Sequence, residues 1–404
     1  MKITSVESIL INPKLAARNA DQKVRFAAID TQTIYRVKTD KGITGYCDSR
    51  GHSPLSQSAI ASLVDRSPFD FIGADLPTGV MGALYDAMGK YLEVPAYKLM
   101  GQKLRDRVPV AAWTRPASPE DLAKEVQRAA AEGYLIFKMH TCEHHDVFLQ
   151  NRAVEEVAPP GFKMHYDFNH NRPSAAVNRI MHTLEPSHVV GFIEDPIFWQ
   201  DLEGWRLLRQ KTSFPLLMHV PQLGGGPELL QGCADLYMVG ETGIAKSLRL
   251  GFACALANVS TVIQLTGGTL SKALAMHLGA VLPNISHSIN LDDQYDEDVT
   301  GGRIEVSEGS SPVPEKPGLG VEVNEEILAR LAAAPATVIP RHLGILYLPG
   351  GRKFYTPSIP SVSRLTGFVE GNLPGIRSEV WNDDGSAQFS STYEQVQRQG
   401  AFLE

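Results

Sequence analysis

Cysteine is scarce. Four residues in 404, Cys47, Cys142, Cys233 and Cys254, fall without CxxC or CxxxC spacing. That excludes a disulfide-stapled fold and predicts free thiols in a reducing compartment. Long apolar runs are missing too. No stretch approaches the ~20 residues of a membrane-spanning helix, and the opening MKITSVESILINPK has no signal-peptide core. The expectation is a cytoplasmic protein with no membrane partner. Neither sign of charge dominates: 38 Lys and Arg against 45 Asp and Glu give a net charge of −7. Such a balance argues against a nucleic-acid partner. No glycine-rich phosphate turn follows the first core strand, VPVAAW (108–113), and that strand carries no HxH pair. The first absence disfavours an open dinucleotide-binding sheet. The second ranks a hydrolytic zinc barrel last, although His140, His165, His170 and His219 all fall near strand ends.

What is present reads as a large soluble chain. A hydrophobic fraction of 43% and a charged fraction of 21% are ordinary for a globular core, and the length suggests two or three domains. Residues 1–60 look antiparallel, with TQTIYRVKTDKGITGYCD folding into two strands around Asp40-Lys41-Gly42. The polar stretch 12–32 carries Lys14, Arg18, Lys23 and Arg25. It is either a loop that covers a site or a solvated hairpin loop. From about 56 to 104 the pattern is helical, with Val80, Met81, Leu84, Tyr85 and Met88 on one face.

From Ala111 to about Ser288 strands and helices alternate close to eight times. The first helix has a Ser118 cap and a Gly133 stop. This predicts an α/β fold, a closed TIM-type parallel β/α barrel. An acidic loop (DDQYDED) and a Gly/Pro/Ser-rich segment follow. The tail, about 332–404, has strand-like pieces (HLGILYL, KFYTP) and an amphipathic end. Its Trp381, Phe389 and Tyr393 argue against disorder.

Three strings organise the chain: FKMH (137–140), HYDFNH (165–170) and GFIEDP (191–196). Each is an apolar run that ends in polar or charged residues, as a buried parallel strand does where it opens into a site. Lys138, His140, Asp167, Asn169, Glu194 and Asp195 are expected to meet there.

These strings, in this order, resemble the enolase superfamily in its mandelate racemase and muconate lactonizing branch. ALYDAMGKYLEVPAYKLMGQKLRDRVPV (83–110) is similar to that family's helix pair and the start of its barrel. TDKGITGYCDSRG (39–51) is similar to its N-terminal hairpin, and PGLGVEVNEE (317–326) to its C-terminal return. The resemblance spans about residues 1–328. It implies a capping domain at 1–110, a catalytic barrel at 111–310, and a return with an unusual extension at 311–404. It also implies Mg²⁺ held by carboxylates on the third, fourth and fifth strands, and removal of the proton alpha to a substrate carboxylate. Such a proton is a very weak acid, so the site must concentrate positive charge against the dianion that forms. Asp167 and Glu194 are the expected oxygen ligands for that ion.

The departures from the family pattern narrow the chemistry. The second strand ends Lys138-Met139-His140 in place of Lys-x-Lys. Lys138 would then polarise the substrate carboxylate and His140 act as the base, unless His140 is a surface or supporting residue. The fifth strand puts His219-Val220 where the third carboxylate belongs. Either His219 ligates, which would favour Mn²⁺ or another divalent metal, or Glu241 reaches over, or the ion is held weakly. The seventh strand offers Gln264 in place of the family's His, and Gln is no base at neutral pH. Near the eighth strand His287 is either an acid or a surface residue. Glu241 and His287 complete the candidate catalytic set with Lys138 and His140. Asn169, Arg18, Arg25, Arg50 and His52 are the candidate contacts for an anionic substrate.

The expected function is a divalent-metal-dependent lyase acting on a hydroxy-carboxylate such as an acid sugar. The alternative is a catalytically impaired descendant that binds a metabolite without turnover. The resemblance further implies a homo-oligomer, a dimer or an octamer.

Overall fold

The computed structural model describes residues 1–18, 29–142, 144–170, 172–362 and 374–404. Arg25 and Lys23 of the expected covering loop lie outside these residues.

Three strands, β1 (Ile3–Ile11), β2 (Gln32–Thr39) and β3 (Thr44–Arg50), pair antiparallel in the order β1-β2-β3. The helices α1 (Gln57–Leu63) and α2 (Thr78–Leu92) follow. The barrel alternates strictly: β4 (Arg107–Thr114), α3 (Pro119–Ala131), β5 (Ile136–His140), α4 (Val147–Glu155), β6 (Lys163–Asp167), α5 (Ser174–Leu184), β7 (Val190–Glu194) and α6 (Leu202–Lys211). It continues with β8 (Leu216–Met218), α7 (Gly226–Leu230), β9 (Leu236–Gly240), α8 (Ile244–Leu256), β10 (Ser260–Leu265), α9 (Thr269–Val281) and β11 (Ile285–Asn290). Strands β4 to β11 run in sequence order, and β11 pairs parallel with β4, so the eight-stranded sheet closes. A short β12 (Ser310–Pro312) adds to β4 antiparallel. Then come α10 (Glu325–Ala333), β13 (His342–Tyr347), β14 (Lys353–Thr356), β15 (Arg377–Asn382), α11 (Ala387–Gln399) and β16 (Phe402–Leu403).

The chain forms two compact units. The first holds residues 1–18, 29–112 and 236–337. In it, α2 lies tight against the N-terminal sheet: a Cβ on Gly45 of β3 would stand 2.1 Å from the Ala83 carbonyl oxygen. Only glycine permits that approach. Helix α9 is buried along its whole length, and two carboxylates cap its amino end. Asp48 accepts from the Gly268 and Ser271 amides at 2.7 and 2.9 Å, and Asp298 from the Thr269 amide at 2.6 Å. A buried helix end needs such partners, because its first amides have none within the helix.

The second unit holds the described residues of 113–235 and 338–404. Its α3 begins as the sequence predicts, with Ser118 Oγ accepting from the Asp121 amide at 3.1 Å. The C-terminal extension is a folded layer. Its strands pair antiparallel in the order β15-β13-β14-β16. Leu343, Ile345, Tyr355, Phe389 and Val396 form its core, with Trp381 and Tyr393 packed against them. The aromatic residues that spoke against disorder in the tail are the residues that bury it.

Candidate active site

Residues two apart on a strand share a face, so Lys138 and His140 of β5, His165 and Asp167 of β6, and Phe192 and Glu194 of β7 point the same way in alternation. Register then sets them side by side: Lys138 opposite His165, His140 opposite Asp167, and Asp167 opposite Glu194. The result is a knot of charge at the strand ends. Lys138 Nζ lies 2.6 Å from Glu194 Oε2 and 3.1 Å from Asp167 Oδ2, with both lysine and carboxylates almost fully buried. His165 Nε2 adds a contact to Glu194 Oε2 at 2.7 Å, and His219 Nδ1 one to Glu194 Oε1 at 3.0 Å.

Each charge is set by its neighbours. Burial alone would raise Glu194, but Lys138, with His165 and His219, overrides it and holds the carboxyl well below its ordinary range. Burial would likewise lower Lys138, yet Glu194 and Asp167 reverse this and keep the ammonium charged. For Asp195, burial, then the charges of Glu194 and Asp167, outweigh His219 and push it up to about 8. Its Oδ1 accepts from the His219 amide at 2.9 Å.

His140 is held in one tautomer. Its Nδ1 is 2.9 Å from Asn169 Oδ1 and 3.4 Å from Asp167 Oδ2. Both are acceptors, since the Asn169 amide nitrogen faces the carbonyls of Thr141 and Asp167. Nδ1 therefore carries the proton and donates, which puts the basic lone pair on Nε2. Burial lowers the His140 pKa, so the ring is neutral at neutral pH. Trp113 meets it edge-on at 5.7 Å between ring centroids.

The backbone here is unusual. Asn169, His170 and Asp195 have positive φ angles of 52°, 50° and 46°, a region non-glycine residues rarely enter. The His170 amide donates to the Asp195 carbonyl at 2.8 Å. Left-handed residues gathered at two neighbouring strand ends mark a site where geometry is held against local preference.

The remaining candidates belong to the first unit. Arg18 grips Asp293, through its carboxylate at 3.2 Å and its carbonyl. Arg50 and Glu241 line a cavity of about 310 Å³ with Tyr35, Asp48, Thr78 and Thr266. Glu241 accepts from Thr266 Oγ1 at 2.8 Å. His52 is exposed. His287 is fully buried and 3.0 Å from Ser286 Oγ, so its surface reading is corrected: it begins the run of β11, 287–290, that is buried throughout. His165 was not singled out as a site residue, yet it shares a face with Asp167, which is the signal that marks it.

With this geometry in place, the comparisons are decisive for ancestry. The family described as "Enolase C-terminal domain-like" matches residues 121–327. The chain belongs to the enolase superfamily. Its curated relatives include D-galactonate dehydratase of Variovorax paradoxus, 25% identical over 357 residues, covering 74% of this chain and 91% of that protein. D-gluconate dehydratase of Thermoproteus tenax is 29% identical over 279 residues, covering 63% of this chain and 56% of that one. Two solved structures show the same fold. A mandelate racemase/muconate lactonizing family protein from Azoarcus aligns with a TM-score of 0.69 at 22% identity, covering 83% of this chain and 99% of that one. N-succinyl Arg/Lys racemase from Bacillus cereus aligns at 0.68 and 22%, with the same coverage. The superfamily's metal is Mg²⁺. Among the described residues no helix is long and apolar enough to cross a membrane.

Proposed function

We propose that the protein is a divalent-metal-dependent lyase that dehydrates an acid sugar of the gluconate or galactonate kind. The observation that carries the reading is His140: a neutral imidazole with its tautomer fixed by Asn169, beside paired carboxylates and an ammonium. His140 Nε2 takes the proton alpha to the substrate carboxylate and, as imidazolium, returns it to the β-hydroxyl, which leaves as water. One base acting on one face suffices, in keeping with Gln264 on the seventh strand. The enol that remains becomes the 2-keto-3-deoxy acid.

The residues present suit a cation. Glu194, Asp195 and His219 each bring one donor atom within 4.8 Å of the others. Two oxygens and one imidazole nitrogen fit a divalent ion, and admit Mn²⁺ as readily as Mg²⁺. When bound, such an ion supplies positive charge against the second negative charge that grows on the substrate's carboxylate. Lys138 adds a permanent cation to the same wall.

A second reading rests on Lys138 itself. Its ammonium stands where an ion shared by Asp167 and Glu194 would stand, so that place is already taken and the pocket would bind an acid sugar without turnover. Incubation with D-galactonate or D-gluconate in D₂O, with Mg²⁺ or Mn²⁺, separates the two. The lyase reading expects the 2-keto-3-deoxy acid with one solvent deuterium at C3, where the enol is protonated, and kcat reduced by about 10²–10⁴ in His140→Gln. Binding without exchange under either metal would leave the second reading standing.

A further inference from the structure

Directly beyond the end of β5, the chain turns through Thr141-Cys142 and His144-His145-Asp146 before α4. Cys142, His144 and His145 are only 5, 5 and 1% exposed, and one donor atom from each lies within 4.8 Å of the other two. Among the described residues this is one of two groups able to gather three such donors, the other being the Glu194 set. The two differ in chemistry. The Glu194 set is mainly oxygen, suited to hard ions. This one is a thiol and two imidazoles.

We propose that Cys142, His144 and His145 form a second metal site, for a borderline-soft divalent ion and in the first instance Zn²⁺. Zinc sits about 2.3 Å from thiolate sulfur and about 2.0–2.1 Å from imidazole nitrogen in a tetrahedron, which sets donors some 3–4 Å apart. The three donors, all within 4.8 Å of one another, already stand close to that spacing. Three protein donors leave the fourth position to a water. Binding releases the thiol proton, since the thiolate is the ligand.

The surroundings supply what holds ligands in place. Ser378 Oγ of β15 lies 3.3 Å from His145 Nε2. With Nδ1 as the ligand atom, that contact fixes the ring from behind, as outer partners of metal-bound imidazoles do. The next residue, Asp146, caps α4 through Oδ1 and accepts the Gly375 amide through Oδ2 at 2.7 Å. An ion here would therefore brace the turn between His140 and the C-terminal extension. It stands apart from the dehydration proposed above.

Cobalt substitution tests this on the intact protein. Co²⁺ added to metal-stripped wild type should give an intense near-ultraviolet thiolate-to-metal band. Its absence would overturn the proposal without need of any variant. Glu194→Gln, which alters only the other site, should keep the band, while Cys142→Ser and His145→Gln should lose it. Zinc retained after dialysis should fall by one equivalent per chain in Cys142→Ser and stay unchanged in Glu194→Gln. Equal retention in Cys142→Ser and wild type would count against the site. None of these readouts depends on turnover, so a failed dehydratase assay leaves them interpretable.

Discussion

Lys138 Nζ and Glu194 Oε2 are 2.6 Å apart in a place where neither meets water. The pair arises because β5 and β7 flank β6, so their inward residues converge over Asp167. Two carboxylates and one ammonium leave a net negative charge, which draws a cation and tolerates a substrate anion only once that cation is present.

Removing the ammonium should therefore be costly and metal-sensitive. Lys138→Met leaves two buried carboxylates without their counter-ion, a loss of about 3–5 kcal/mol. Urea unfolding with and without saturating Mn²⁺ checks it. The deficit should shrink with the metal, and an equal deficit in both conditions would argue that no ion enters between Asp167 and Glu194.

Two buried groups in the first unit should tilt stability in opposite directions across the same pH range. Burial, with Asp298 nearby, raises Asp48 from 3.8 to about 7. Between those values the folded state keeps a proton that the unfolded chain has released, so stability falls as pH rises from about 4 to 7. Burial lowers His277 from 6.5 to about 4. There the unfolded chain binds the extra proton, so stability falls as pH drops from 6.5 toward 4. Unfolding free energies measured across this range should show the two trends offsetting each other in wild type, Asp48→Asn leaving stability that rises with pH and His277→Leu leaving stability that falls. Parallel curves for both variants and wild type would refute the assignment.

Asp146 ties helix to extension. Asp146→Ala removes the α4 cap and the acceptor for the Gly375 amide. A cap alone is worth about 0.5–2 kcal/mol. Hydrogen exchange should rise first in β15 and its flanks, ahead of the α3–α4 pair. Uniform acceleration across the barrel would instead mean that the extension does not depend on this contact.

Much of the barrel was legible because its signals are local. Ser118 followed by a polar, period-3.6 segment is a helix start in any context, and FKMH or FIED reads as a strand that ends in a site. His287 shows the limit. Its string, ISHSIN, fits either face, and only its burial in the folded chain settles that it does not face solvent. The extension was similar: strands and aromatics were visible, but not their order β15-β13-β14-β16 or the docking of Gly375 on Asp146.

The sequence by itself determined the alternation of strands and helices and which residue types end the strands, since these follow from side-chain periodicity over a few residues. Only the tertiary structure decided that Lys138 sits between Asp167 and Glu194, that Asp195 turns through a left-handed backbone toward His219, and that Cys142, His144 and His145 converge. Distances between groups on different strands depend on register and on loop conformation, which many remote contacts fix together and no short segment encodes.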